Sequence, residues 1–183
     1  MAQKKTMQKA VLIGFLIFII IGFTAPLIDF TAQEQIENSQ PKVCRADPEC
    51  TITCNGQEQP VLCSQNLCAV NTCDYVNPFA LEDKSKTITL HAILNNQTHS
   101  FNANPLDLFV KGQNSKIEVF SSSLPLQLIA EKVGLIITDQ CMALNNQVYC
   151  TDENHNLTIK VNNETSYASY IPSQGDEIVV MYS

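Results

Sequence analysis

The sequence lacks the short motifs that carry common enzyme chemistry. It has no C-x-x-C pair, no G-x-S-x-G nucleophile elbow, no H-E-x-x-H zinc motif and no phosphate-cradling glycine loop. Without C-x-x-C, the chain lacks both the motif that lowers thiol pKa in disulfide oxidoreductases and the strongest sequence signal for a zinc or iron–sulfur site. We therefore expect a protein that is not an enzyme and that uses no cofactor.

Basic residues are also scarce. The chain has 11 Lys and Arg against 18 Asp and Glu, which gives a formal net charge of −7. Because binding to a phosphate backbone needs a basic surface, we expect no nucleic-acid partner. For the same reason we do not expect the protein to lie on anionic lipid.

One long run carries no charge. It reads VLIGFLIFIIIGFTAPLI from Val11 to Ile28. With Ala10 it forms about 19 residues, or roughly 28 Å of helix, close to the hydrocarbon thickness of a bilayer. Residues 10–28 are therefore predicted to be a transmembrane anchor, so the membrane itself is a predicted partner.

Charges on either side of this run predict its orientation. Lysines precede it and acidic residues follow it: Lys4, Lys5 and Lys9, then Asp29, Glu34 and Glu37. The positive-inside rule places residues 1–9 in the cytoplasm and the rest of the chain outside. We predict a single-pass protein of the cell membrane with an extracytoplasmic C-terminal domain, preceded by a polar stalk at 29–42.

A cleaved secretory signal is the alternative to an anchor. Such a signal needs small residues three and one positions before the cut. In Phe23-Thr24-Ala25 a bulky residue takes one of these positions, and Pro26 would directly follow the cut. The pattern favours a retained anchor, and under either interpretation the remainder is exported.

Six of the eight cysteines lie in one segment, residues 43–76, which we call the Cys-rich segment. An even number of cysteines in an exported chain, clustered in a segment too small to bury a core, predicts a disulfide framework. The predicted disulfide cysteines are Cys44, Cys50, Cys54, Cys63, Cys68, Cys73, Cys141 and Cys150. The spacing leaves the connectivity of the first six open.

Two other interpretations of the cluster remain. Cys63, Cys68 and Cys73 are separated by four residues each, at the upper limit of common zinc-ligand spacing. That spacing permits a metal site without indicating one, and we predict none. A redox-active dithiol is the third interpretation, and it needs an exposed cysteine of low pKa.

The last two cysteines flank a pair of asparagines in CMALNNQVYC. If Asn145-Asn146 forms a two-residue turn, in which both residues need positive φ, Cys141 faces Cys150. The two would form a non-hydrogen-bonded pair with Cα atoms roughly 4.5 Å apart, within reach of a disulfide. We predict a structural disulfide here.

The rest of the chain, 77–183, shows strand patterns around one helix. TITLHAILNNQTHSF predicts a second hairpin, turning at Asn95-Asn96, and DLFVKGQNSKIEVF predicts two strands around a Gly-Gln-Asn turn. After the cysteine hairpin, LTIKVNN and DEIVVMYS predict two more strands. The region is therefore predicted to be mostly sheet.

The stretch SSSLPLQLIAEKVG predicts the helix. Ser122 or Ser123 can cap its start and Gly134 can end it. An apolar stripe at i, i+3, i+4 and i+7 consists of Leu126, Ile129, Ala130 and Val133. That stripe needs a sheet to cover it, which predicts an α+β fold.

This order of elements resembles the β-grasp, or ubiquitin-like, fold, in which a mixed sheet wraps one helix. The most specific residues are Val161-Asn162 and Gly175-Asp176-Glu177-Ile178, which occupy the places of similar residues in the sulfur carriers of thiamine and molybdopterin synthesis. Those carriers end in Gly-Gly, whereas this chain ends in Met-Tyr-Ser, so the resemblance does not imply carrier activity. It implies an α+β layout: transmembrane helix, disulfide-rich segment, then a β-grasp-like mixed sheet packed on one helix. The whole layout also resembles small single-pass archaeal membrane proteins that have no established activity.

Few other residues suggest a site. His91 and His99 are predicted to point to opposite sides of their hairpin, and His155 lies in an acidic loop that would hold a cation only weakly. The glycosylation candidates are the sequon residues Asn96, Asn156 and Asn163.

Three functional hypotheses follow. The favoured one is a membrane-anchored, extracytoplasmic, non-catalytic interaction module that binds a protein or glycan partner. The second is an extracytoplasmic metal- or ligand-binding domain. The third is an envelope thiol-disulfide protein.

Overall fold

Six two-residue hairpin turns build most of the structure. The computed structural model describes residues 41–70, 72–73 and 77–183. In each turn both residues have positive φ: Asn55-Gly56, Gln65-Asn66, Asn95-Asn96, Asn114-Ser115, Asn145-Asn146 and Asn162-Asn163. Such turns have the twist of the strands that they join, and Asn and Gly tolerate the left-handed conformation better than most residues. The two predicted Asn-Asn hairpins are therefore among six.

The described residues contain fourteen strands, one α-helix and one short 3-10 helix. In the Cys-rich segment they are η1 (Asp47–Glu49), β1 (Thr51–Cys54), β2 (Gln57–Pro60), β3 (Cys63–Ser64) and β4 (Leu67–Cys68). Up to the helix they are β5 (Lys86–Leu94), β6 (Gln97–His99), β7 (Val110–Gln113), β8 (Lys116–Val119) and α1 (Leu126–Lys132). After it come β9 (Leu135–Ile137), β10 (Cys141–Leu144), β11 (Gln147–Cys150), β12 (Leu157–Val161), β13 (Glu164–Ser166) and β14 (Glu177–Tyr182).

The largest sheet is mixed and has seven strands. Its order is β13-β12-β14-β5-β8-β7, and β6 pairs with the end of β5. Strands β14 and β5 are parallel, from Glu177 opposite Thr89 to Tyr182 opposite Leu94, whereas the other pairs are antiparallel. The parallel pair brings the two ends of the 77–183 region together at the middle of the sheet.

One face of this sheet is buried under α1 and a second, three-stranded sheet. Along β5 every second residue is buried: Ile88, Leu90, Ala92 and Leu94. They share one core with Leu126, Ile129 and Ala130 of α1 and with Leu135 and Met142 of the sheet β11-β10-β9. Burying one such side chain contributes about 1.5–3 kcal/mol. The α+β class, mostly sheet with one helix, is confirmed.

The start of α1 differs from the prediction. The helix begins at Leu126 after Pro125, and no side chain caps it. Ser123 instead donates to the carbonyl of Pro78. The first helical N–H groups donate to the carbonyls of Tyr170 and Ala168, so a neighbouring loop replaces the serine cap. Gly134 follows the helix with φ of +83°, as predicted.

The turn between β7 and β8 begins two residues later than predicted. It uses Asn114-Ser115, while Gly112 lies within β7. A Cβ at Gly112 would lie 2.3 Å from the carbonyl oxygen of Lys116 on the facing strand. The glycine therefore serves close strand approach and not the turn.

Pro41–Ser183 form a compact unit. The Cys-rich segment contributes two small hairpins to it, and its Leu62 is fully buried in the main core. The predicted anchor at 10–28 lies outside the described residues. Among the residues described, no helix has the length and apolar character needed to cross a bilayer.

Candidate functional site

All eight cysteines form disulfides, as predicted. The pairs are Cys44–Cys63, Cys50–Cys68, Cys54–Cys73 and Cys141–Cys150. Within the Cys-rich segment the first cysteine pairs with the fourth, the second with the fifth and the third with the sixth, so the three closed loops overlap. In the last pair the Cα atoms are 4.0 Å apart, close to the separation expected for facing residues of a hairpin.

This pairing bears on the other interpretations of the cysteines. The sulfurs of Cys44, Cys50 and Cys68 lie within 4.8 Å of one another, a distance that would suit a shared metal ion. Each belongs to a disulfide, however, and zinc and redox chemistry both require the thiolate. The proximity of these sulfurs reflects two bridges packed side by side.

A buried carboxylate joins the Cys-rich segment to the main sheet region. Asp47, in η1, is fully buried. One carboxylate oxygen accepts from the Cys63 N–H at 2.9 Å and from Lys132 Nζ at 2.6 Å. The other accepts from the N–H groups of Leu108 and Phe109 at 2.9 and 3.3 Å. A buried charge is tolerated only when it is paired and hydrogen-bonded, and this one meets both conditions.

Lys132 also contacts a second carboxylate. Its Nζ lies 3.3 Å from Oδ1 of Asp107, and the two side chains are 7% and 4% exposed. Burial raises the pKa of Asp107, and the charges of Asp47 and Glu131 add to the rise against the opposing effect of Lys132. The Oδ2 atom of Asp107 accepts no hydrogen bond from any described residue.

A polar cavity of about 160 Å³ opens above this cluster. Its lining includes Arg45, Gln65, Asn66, Asn104, Asp107 and Lys132. The chemistry of this lining suits a polar ligand, because its amides, guanidinium and carboxylate offer both hydrogen-bond donors and acceptors. Arg45 forms no ion pair within the part of the chain described.

Glu131, also at the cavity, is already engaged. Its carboxylate accepts from the Ser64 hydroxyl at 2.8 Å and from the Gln65 N–H at 2.6 Å. This contact fixes the β3–β4 turn against α1. Cys63 lines the cavity as well, but its sulfur is bonded to Cys44. The described lining pairs no nucleophile with a base.

The histidines lie apart from this cavity. His99 pairs with Ala92, so it occupies the face opposite to that of the adjacent His91, as predicted. In the acidic loop, His155 Nδ1 lies 3.2 Å from Asp152, and the imidazole stacks on Tyr182 with centroids 5.4 Å apart. Asp152 thus orients His155 on an exposed surface.

The three sequon residues are exposed: Asn96, Asn156 and Asn163. Asn96 and Asn163 hold the second position of a hairpin turn, and Asn156 lies just before β12. A hairpin tip presents its side chain to solvent. Glycosylation at these positions stays a prediction.

The two parts of the motif that suggested the β-grasp resemblance, at Asn162 and at Asp176-Glu177, form hydrogen bonds with each other. Asn162 Nδ2 donates to Asp176 Oδ1 at 2.8 Å, and the Glu177 N–H donates to Asn162 Oδ1 at 2.9 Å. Asp176 Oδ2 also accepts from the Ser173 N–H and the Tyr170 hydroxyl. Burial raises the pKa of Asp176, but these hydrogen bonds outweigh it, and the pKa is lowered. The motif therefore has a structural role here.

The residues Asp47, Asp107 and Lys132 were not anticipated from the sequence. They lie far apart in the chain, and no spacing or composition signal connects them. Only the contact of η1 with the end of α1 brings them together. A carboxylate among disulfide cysteines is otherwise indistinguishable from an ordinary surface residue.

Neither a known protein family, nor a curated protein, nor a solved structure matches this chain. The contacts around the cavity are therefore the observations from which a function can be proposed.

Proposed function

We propose that this protein is a membrane-anchored, extracytoplasmic, non-catalytic interaction module for a protein or glycan partner. The pairing of all eight cysteines carries the proposal. Disulfides persist in oxidising compartments outside the cytoplasm, and three of them here constrain a segment with little core of its own. A rigid exported surface of this kind serves binding.

The location rests on the N-terminal sequence. The uncharged run at 10–28 is long enough for one span, and the lysines before it favour a cytoplasmic N-terminus. The polar residues at 29–42 then connect the anchor to the Cys-rich segment. Disulfide pairing in the rest of the chain supports the same orientation.

We further propose that residues 77–183 adopt a β-grasp-like fold. Three observations support it: the sheet is mixed, one helix packs on it, and its first long strand, β5, lies parallel beside its last, β14. The hydrogen bonds between Asn162 and Asp176 give the shared motif a physical basis. Function does not follow from such a fold, because one architecture hosts many activities.

Ligand binding is a second candidate function, favoured by the polar cavity between the Cys-rich segment and α1. It is compatible with the first, since an interaction module can recognise its partner through a pocket. The third hypothesis, a thiol-disulfide protein, needs a reactive thiol, and the pairing of all eight cysteines weighs against it.

The test combines topology and thiol state in the full chain. With an epitope at each terminus, external protease should remove the C-terminal epitope from intact cells and leave the N-terminal one. Alkylation without reduction should label no cysteine, even in denaturant, which predicts a mass about 8 Da below that of the reduced chain. A protected C-terminus would contradict the topology, and labelled thiols would revive the metal and redox alternatives.

Binding is tested on the same cells with a membrane-impermeant cross-linker. We expect an adduct of defined mass that disappears when Cys50 and Cys68 are both replaced by serine. An adduct that persists in this variant would mean that the rigid segment is not the binding element. Absence of any adduct, together with no glycan retention by the purified full chain, would overturn the interaction function.

A further inference from the structure

One carboxylate oxygen at the polar cavity has no hydrogen-bond partner among the described residues. Asp107 is 3% exposed, yet its Oδ2 accepts no hydrogen bond from a described residue. By contrast, both oxygens of the nearby Asp47 are fully engaged. Oδ2 is not one of the fully enclosed side-chain atoms without a partner, so it is open to the cavity, where water or a ligand supplies its donor. Because Asp107 lines the cavity, a ligand there can do so.

The ammonium group of Lys132, next to Asp107, restricts which chemical group of a ligand can bind there. Lys132 Nζ lies 3.3 Å from the Asp107 carboxylate, and among the described residues its three protons have two acceptors. A donor beside an acceptor matches a hydroxyl group, which donates through its proton and accepts through its lone pairs. A carboxylate or ammonium ligand would match only one of the two.

The charges around the cavity also favour a neutral ligand. Arg45 and Lys132 contribute positive charge, while Asp47, Asp107 and Glu131 contribute negative charge. The balance is slightly negative with Asp107 ionised and neutral with it protonated, and its raised pKa moves the site toward neutrality. An anion would therefore gain little in this site.

The rim supplies the remaining polar groups. Within the described residues the guanidinium of Arg45 forms no ion pair, and the side-chain amides of Gln65 and Asn66 form no hydrogen bond. Asn104 uses its oxygen to accept from the Leu106 N–H, which leaves its amide protons available. The ring of donors around one deep acceptor suits several hydroxyls on one small frame.

We propose that this cavity binds a single neutral sugar residue of a glycan, with one hydroxyl donating to Asp107 and accepting from Lys132. Arg45 and the amides of Gln65, Asn66 and Asn104 bind the remaining hydroxyls. The cavity, of about 160 Å³, has room for a single sugar ring. This inference rests on the proposed interaction function and names its partner class.

The test is a titration of the full chain in a detergent without a sugar headgroup, followed by amide NMR. The probes are the methyl glycosides of glucose, galactose and mannose, and N-acetylglucosamine, at millimolar concentration. We expect at least one to give saturable shifts at residues 63–66, 104–107 and 131–132. Glycine and acetate serve as the charged comparison probes.

Two variants locate the effect, and one serves as control. Asp107→Asn converts the acceptor into an amide, and Arg45→Gln removes an exposed cation; each should weaken binding about tenfold, the equivalent of losing 1.4 kcal/mol. Lys42→Gln removes a cation that does not line the cavity and should leave binding unchanged. Arg45 is exposed, so its variant tests the site even if Asp107→Asn proves poorly folded.

Each outcome decides the proposal. Saturable sugar shifts that weaken in both variants but not in the control support it. No saturable shift with any of the sugars overturns it, as do shifts produced by glycine or acetate instead. These results are independent of the topology and thiol measurements, so the sugar site can fail while the anchored interaction module stands.

Discussion

The Cys-rich segment and the 77–183 region are stabilised in different ways. The buried apolar cluster of the first consists of four cysteines and two valines: Cys44, Cys50, Cys63, Cys68, Val61 and Val70. The second buries its residues in one continuous core between a seven-stranded sheet, a helix and a three-stranded sheet. A short segment cannot remove enough apolar surface from water to offset its conformational entropy, so covalent links take over that role.

The contact between the two regions combines one buried apolar side chain with a buried ion pair. Leu62 inserts into the main core, but beside it Asp47 and Lys132 form a buried, hydrogen-bonded ion pair. Such a pair contributes little net stability compared with apolar packing, yet breaking one partner is costly. The junction therefore favours one docking geometry, and the polar cavity lies there.

The largest effect should come from reduction. Each bridge contributes about 2–5 kcal/mol, and the apolar cluster of the Cys-rich segment cannot replace three of them. With a phosphine reductant, amides at 44–68 should lose protection from hydrogen exchange while those of β5, β12 and β14 keep theirs. Simultaneous loss in both regions would show that they unfold as one unit.

The next effect should come from the junction. Asp47→Ala leaves Lys132 without its closest partner and removes the acceptor of three backbone N–H groups. We expect a loss of about 3–5 kcal/mol in the free energy of unfolding, measured with denaturant. Glu49→Ala, in the same 3-10 helix but exposed, is the matched control and should cost less than about 1 kcal/mol. Equal costs would mean that the ion pair does not hold the junction.

A smaller effect is expected from the disulfide inside the sheet region. Replacing Cys141 and Cys150 by serine should cost about 2–3 kcal/mol, because the bridge closes a short loop. The hairpin should persist, since Met142 and Leu144 are buried in the main core. Amide exchange in β10 and β11 measures this, and a hairpin that unfolds would place it with the Cys-rich segment, dependent on covalent links.

The smallest effect should appear in the pH dependence. The raised pKa of Asp107 means that its favourable contribution is present at low pH and is lost as pH rises through the folded-state value. The lowered pKa of Asp176 means that its contribution is present near neutrality and is lost as pH falls. Unfolding free energies from acidic to neutral pH should therefore change in opposite senses in Asp107→Asn and Asp176→Asn, relative to the parent. The same sense in both would assign the dependence to other carboxylates.

Local features were the most predictable from the sequence. Asn145-Asn146 and Asn95-Asn96 form the predicted turns. Tolerance of positive φ is a property of the asparagine residue itself, so the sequence reveals it. Predictions were less accurate where residues distant in the chain make contact. Backbone carbonyls of the 168–170 loop replace the predicted serine cap of α1. Close contact with the facing strand accounts for Gly112 within β7 instead of in the turn. The candidate site was not predicted at all, since its three charged residues share no local pattern.

The sequence by itself determined the use of disulfides, the turns at Asn95-Asn96 and Asn145-Asn146, and the mixture of strands with one helix, because each depends on residues near one another in the chain. Only the tertiary structure decided how the six cysteines of the Cys-rich segment pair, that β14 lies parallel to β5, and that Asp47, Asp107 and Lys132 meet. These depend on contacts between distant segments, whose cost in chain entropy is offset only when the whole core forms. The cavity between α1 and the Cys-rich segment is a product of that assembly.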